Sequence, residues 1–283
     1  MKYPTIRIEG SILSADILEK IEQSDIPGQN PKDFGFDSNT KVKDEIAVAW
    51  ADTQSYWRIF KRKAEKLKAT DTGTSDTRQT WIVPFLGLWG YQADKSNAEI
   101  LNEKSYAISH RATNLDGFPV HIMGCNEILD KRPETGLLRM SPHSLVQEYL
   151  NLTEHLYAIV TNGYQLRILR DASRLVKLSY LEFNLEQMFE EGHYSDFALM
   201  YRLIHSSRMP RKMDEGAECL FEKYHQDALE SGSRIREGLS QAVASSIKMF
   251  ADGFMNYPSN QILRDSIDEG KMPSSKLYQI MLR

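Results

Sequence analysis

Few side chains in this 283-residue chain are spaced for chemistry. Metal-dependent phosphodiester hydrolysis needs an acidic residue on one strand and a Glu-x-Lys on the next, which hold a divalent cation and orient a water. An Asp, Glu or Gln two residues before a Lys occurs only in Glu269-Gly-Lys271, near the foot of a predicted helix rather than on a strand. Asp116 and Asp130-Lys131 are acidic but fall in predicted loops. His110 and His121 lie on neighbouring predicted strands and are able to approach each other. With no third ligand nearby they read as structural histidines, and no metal site is expected. The remaining candidates are basic. Arg167 and Arg170 end the stretch LYAIVTNGYQLRILRD, 156–171, on opposite faces of a strand. Arg58, Lys61, Arg62, Lys63, Lys66 and Lys68 cluster at the end of a helix, interleaved with Glu65. Two readings are open for both groups: phosphate contacts, or a solvated basic face. On the first reading Arg167, Arg170, Arg58, Lys61 and Arg62 contact DNA.

The elements that must position these residues follow from periodicity. Ile6 and Ile8 alternate, and Ser14 then caps a short helix. The stretch 23–40 is rich in Pro, Gly, Asn and Asp and reads as loop. Over 41–68, Ile46, Ala49 or Trp50, Trp57 and Phe60 recur at helical spacing. Another helix runs through TRQTWIVPFLGLWGY with Pro84 inside it and Gly90 as its stop. From 98 to 125 the period becomes two, so AEILNEKSYAISHRA and FPVHIMGC are expected as an antiparallel pair. Ser141-Pro142 opens a helix through Leu152. Asn162-Gly163 then predicts a type I′ hairpin, and LSYLEFNL a further strand. After Leu185 the pattern is helical. Ile235, Leu239, Val243, Ile247, Phe250 and Phe254 step by four, four, four, three and four along one long amphipathic helix. The closing SSKLYQIMLR is most apolar at its end, from which we expect a piece of a longer polypeptide or one half of a split protein.

Helix, β-pair, helix, β-hairpin is the order of the PD-(D/E)xK nuclease core. The expected fold is therefore α/β, a mixed nuclease-like sheet flanked by helices, with a degenerate metal site. The boundaries expected are 1–70 for an N-terminal strand, loop and helix, 71–210 for the nuclease-like domain and 211–283 for a helical connector. The chain carries no G-x-G-x-x-G, G-x-x-x-x-G-K-[ST], H-E-x-x-H, G-x-S-x-G or paired C-x-x-C.

Bulk composition narrows the setting. Lys and Arg number 35 against 39 Asp and Glu, giving −4, so any nucleic-acid contact must rest on a local basic face. Cys125 and Cys219 suggest no disulfide framework. MKYPTIRIEG lacks a signal-peptide core and no stretch approaches a membrane span, so no membrane partner and a cytoplasmic location are expected.

Several blocks carry a likeness: WIVPFLGLWGY (81–91), YAISHRA (106–112), MSPHSLVQEYLN (140–151), HLYAIVTNGYQLRILRDAS (155–173) and SYLEFNLEQMFEEGHYSDFALMYRLIHSSRMP (179–210). In this order they resemble the N-terminal region of large bacterial adenine-specific DNA methyltransferases. These include type IIG restriction–modification enzymes and the methyltransferase of DISARM-type phage-defence systems. Residues 218–283, with YPSNQILRDSIDEGK, resemble the helical connector that precedes the methyltransferase domain. The resemblance implies a parent protein that transfers a methyl group from S-adenosylmethionine to adenine in double-stranded DNA, after flipping the base. It also implies other defence-system subunits, or a downstream methyltransferase domain, as partners. The chain has no Asn-Pro-Pro-Tyr and no glycine-rich cofactor loop, so no cofactor and no catalytic residue are expected within it. Related nucleases place a Tyr four residues after a Gln, whereas Gln147 is followed by Tyr149 and then Asn151. The expected role is positioning of DNA or partner subunits. The alternatives are an active Mg²⁺-dependent endonuclease and a protein-interaction module without DNA contact.

Overall fold

A computed structural model describes residues 2–68, 70–133, 140–171, 179–273, 275–276 and 279. Most of the closing SSKLYQIMLR, and Leu178 of LSYLEFNL, lie outside the described residues. The chain divides into two compact units, one ending at Leu229 and one beginning at Glu230.

The first unit is a mixed α/β layer structure. It opens with β1 (Ile6–Glu9), α1 (Ala15–Gln23) and the long α2 (Val42–Ala64). A single turn, α3 (Thr74–Asp76), leads into a π-helical segment, Thr77–Ile82, and then α4 (Val83–Leu88). The π turn sits just before Pro84, which has no N–H to give to a regular ladder. β2 (Ala93–Lys95), β3 (Glu99–Leu101), β4 (Lys104–Tyr106), β5 (His110–Ala112) and β6 (Phe118–Ile122) follow. After α5 (Pro142–Leu152) come β7 (Tyr157–Thr161), β8 (Gln165–Arg170) and β9 (Tyr180–Asn184). α6 (Leu185–Glu190), α7 (Tyr194–Ile204) and the first turns of α8 (Leu220–Asn256) complete the unit.

Seven strands form one sheet in the order β1-β9-β8-β7-β6-β5-β2. Every neighbouring pair is antiparallel except β6 and β7. That parallel pair requires a crossover, and α5 supplies it. Ser141 caps α5 as expected, its Oγ accepting from the Ser144 N–H at 3.2 Å. β1 pairs with β9, Ile6 opposite Phe183, so residues 2–68 share the sheet's unit.

Two sequence expectations are corrected. AEILNEKSYAISHRA is not one strand: β3 and β4 form a separate hairpin, and only His110–Ala112 reaches the main sheet. The division occurs at Asn102-Glu103, where φ values of 48° and 63° make the paired positive-φ turn that closes a two-residue hairpin. Asn162-Gly163 is not such a turn. Only Gly163 has positive φ, 88°, while the Asn162 side chain accepts from the Tyr164 and Gln165 N–H groups at 3.1 and 2.8 Å. An Asx turn of this kind closes a longer loop.

Hydrophobic packing holds both faces of the sheet. On one, α2, the π-helical segment, α4 with the residue after it, and α7 bring together Trp57, Phe60, Trp81, Phe85, Trp89 and Phe197. Adjacent rings in this group meet at centroid distances from 4.1 to 6.0 Å. On the other face α5 buries Leu145, Val146, Tyr149 and Leu150 against Ala158, Val160 and Leu169. The Trp81 indole N–H donates to the Gly163 carbonyl at 2.7 Å, tying the β7–β8 loop to the helical layer.

The second unit contains the rest of α8, from Glu230, and α9 (Gln261–Asp268). None of its described residues is buried.

Candidate functional site

The β5–β6 ladder stops short at one end, and a polar cluster occupies the fork. His110 is opposite Val120, but beyond it the Ser109 side chain takes over from the backbone. Its Oγ accepts from the Ile122 N–H at 2.7 Å and lies 3.3 Å from the Val120 carbonyl and 2.9 Å from the His110 Nδ1. The Ser109 N–H donates to the His121 Nδ1 at 3.3 Å. Arg78, from the π-helical segment, donates its Nε–H to the Ile122 carbonyl at 2.8 Å. Burial pushes His110 down to about 4 and His121 down to about 3, and the Arg78 charge adds to both. Both imidazoles are therefore neutral at pH 7. The His121 Nε2 is buried with no hydrogen-bond partner among the described residues.

The fork thus joins His110 and His121, as their neighbouring strands suggested, and adds Ser109 and Arg78. Arg78 escaped sequence reading because an Arg one turn before Trp81 gives no sign of lying beneath a strand end. Neutral imidazoles, a hydroxyl and a guanidinium offer no carboxylate to a hard cation such as Mg²⁺. Among the described residues no three His, Cys, Asp or Glu side chains gather as they would around a metal ion.

The acidic candidates are engaged elsewhere. Asp116 accepts from the Met213 N–H at 3.0 Å. Glu269 pairs with Lys271 at 2.6 Å on the surface of the second unit. Gln147 donates to the Arg170 carbonyl at 3.0 Å and to Asn151 at 3.3 Å. Asp130 accepts two bonds from Arg167, whose guanidinium holds its carboxyl below the usual range.

The hairpin arginines face opposite sides of the sheet, and each ends on a carboxylate of this chain. Arg167 is buried, with Glu182 on its Nε at 2.5 Å and Asp130 on its two terminal nitrogens. Burial works against its charge, but the bonds to Asp130 and Glu182 keep it protonated. Arg170 donates to both carboxyl oxygens of Glu222, at 2.9 and 2.8 Å, and the Tyr157 hydroxyl donates to the same carboxylate. These contacts fasten the first turns of α8 to the sheet. Glu182 and Glu222 went unnoticed in the sequence because each is distant along the chain from its arginine.

The α2 cluster divides in two. Lys61 pairs with Glu186 and Glu190 at 2.9 and 3.4 Å, and Lys63 with Asp76 at 2.8 Å. Among the described residues Arg58 bonds within its own helix, to the Gln54 carbonyl and the Ser55 hydroxyl. Arg58, Arg62, Lys66 and Lys68 are exposed and form no ion pair with the described residues. Basic residues in a last helical turn also suit the helix dipole, so their position alone does not demand a ligand.

No family model, no curated protein and no solved structure matches this chain.

Proposed function

We propose that this chain is a non-catalytic, nuclease-like module that positions DNA for an adenine-methylating domain of a bacterial restriction or phage-defence system. One observation carries the reading. A helix, three antiparallel strands, a crossover helix and a parallel strand are read here as a PD-(D/E)xK-like order, in which the fork assigned to the carboxylates carries Ser109, His110, His121 and Arg78 instead. In this proposal the scaffold meets a duplex without cutting it.

The basic residues in and just beyond the end of α2 support the DNA contact. Arg58, Arg62, Lys66 and Lys68 are exposed cations with no ion pair among the described residues, and phosphate contacts are made by such groups. Arg167, Arg170 and Lys61 are saturated by carboxylates and have scaffold roles in this proposal. S-adenosylmethionine and the methyl transfer belong to the separate domain.

The test is electrophoretic shift of a duplex at low salt, alongside plasmid nicking with Mg²⁺ or Mn²⁺ and calorimetry with S-adenosylmethionine. Salt-sensitive duplex binding without nicking and without cofactor binding is the expected result. Nicking that is lost in Asp116→Ala/Asp130→Ala would establish an active nuclease instead. No shift at any salt would leave a protein-interaction module.

A further inference from the structure

The second unit has large apolar side chains, but none of its described residues is buried. Ile235, Leu239, Val243, Phe250 and Phe254 on α8 are between 48% and 73% exposed, and Tyr257 just beyond it is 60% exposed. At 100° per residue they share one face with Ile247. A helix this exposed gains its stability from packing of such a face, because propensity alone leaves it marginal. Three internal glycines, Gly232, Gly238 and Gly253, weaken it further.

We infer that α8 is a homodimerisation helix, pairing antiparallel with α8 of a second copy about a two-fold axis between Ala244 and Ser245. The spacing of four, four, four, three and four reads nearly the same in both directions. Reversal about that axis sets Ile235 against Phe254 of the second copy, and Leu239 against its Phe250. Val243 then meets the short Ser246 near the axis. The bulky ends find room: Tyr257 faces Gly232 of the second copy and Arg236 faces its Gly253. A groove along Met249, Phe250, Gly253, Phe254 and Tyr257 gives Ile235 and Leu239 of the second copy a place to enter.

Charge decides the direction. Arg236 is the one charged residue within the apolar face from Ile235 to Phe254. Parallel pairing would set it against Arg236 of the second copy, whereas antiparallel pairing sets it at Gly253, beside Asp252. Size favours a self-pair as well. The face is about 35 Å long and carries on the order of 600 Å² of apolar side chain per copy. A standard interface takes about 800 Å² from each partner, a total that the flanking Ser and Ala residues bring within reach. A two-fold pair uses one patch twice and closes on itself, so it limits assembly to two copies.

Sedimentation of the full chain across the micromolar range, without DNA, tests this independently of the proposed function. The wild type is expected to dimerise, and Leu239→Glu/Phe250→Glu to remain monomeric, losing helical circular-dichroism signal while the cooperative unfolding of the first unit is retained. Orientation is read with Ile235→Cys and Phe254→Cys, the native cysteines being buried. A mixture of the two single variants should cross-link, and neither alone should. A monomeric wild type, a dimeric double-Glu variant, or cross-linking of either cysteine variant alone would overturn the inference.

Discussion

Arg167 and Asp130 meet through two parallel hydrogen bonds of 2.6 and 2.8 Å, joining a strand centre to a loop. The Arg167 side chain is 4% exposed and the Asp130 side chain 61%, so a surface carboxylate caps a buried cation. Glu182 approaches from β9 and the Tyr180 ring lies 4.6 Å from the guanidinium carbon, so β8, β9 and the loop converge on one side chain. Planar, bidentate recognition is what distinguishes Arg from Lys at such a site.

Removing this cation is expected to be costly. Arg167→Met strands Glu182 in the interior, and breaking a buried pair from one side costs about 3–5 kcal/mol. Arg167→Met/Glu182→Leu should recover most of that loss, because the uncompensated charge goes too. Urea denaturation compares the two, and equal midpoints would remove the ion pair from the account.

Gly163→Ala tests the loop that Trp81 holds. The position has φ of 88°, and a Cβ there would lie 2.9 Å from Thr77 Cγ2 and 3.3 Å from both Phe60 and Trp81. Left-handed strain of about 1–2 kcal/mol adds to overpacking of about 1–3 kcal/mol. We expect a clearly lower melting temperature with the strand spectrum retained.

Acid should unfold the first unit by charging its histidines. Burial, the main cause in each case, pushes His110, His143, His155 and His205 to about 4, and His121 to about 3, from the ordinary 6.5. The unfolded chain binds protons below about pH 6.5 that the folded chain refuses until about pH 4. Stability is therefore full above about pH 7 and falls as pH drops through that window, each imidazole contributing up to about 1.4 kcal/mol per pH unit. The carboxyls of Asp130 and Glu222, both held below their usual range, extend the loss to lower pH. Denaturant midpoints at about pH 7.5 and about pH 5 measure the effect, and identical midpoints would contradict it.

The DNA contact has a numerical signature. If Arg58 and Arg62 each neutralise a phosphate, Arg58→Ala and Arg62→Ala should each reduce the slope of log affinity against log salt by about 1. Arg170→Ala should instead lower stability by loosening Glu222, and leave the salt slope of the folded protein unchanged. A slope that responds to Arg170 rather than to Arg58 and Arg62 would move the interface to the sheet.

Periodicity alone determined much of the framework: the α2 stripe of Ile46, Ala49, Trp57 and Phe60, the Ser141 cap, and the helix, strand, helix, strand order of a mixed sheet. These are local features, set by which faces a short segment can bury and which donors its ends leave free. Strand partners were a different matter. Nothing near Ile6 signals Phe183, and nothing near Asn102 signals that the β3–β4 hairpin leaves the main sheet.

The partners of the charged residues were decided only by the fold. From the sequence Arg167 and Arg170 read either as phosphate ligands or as solvated strand residues. Tertiary packing brings Glu182, Asp130 and Glu222 to them from 15, 37 and 52 residues away. A side chain's type and local spacing determine which face it occupies, while its charge is satisfied by whatever the folded chain carries past that face. The same reasoning leaves the α8 stripe legible from the sequence as an amphipathic helix. Only the structure shows that, among the described residues of its unit, nothing covers it.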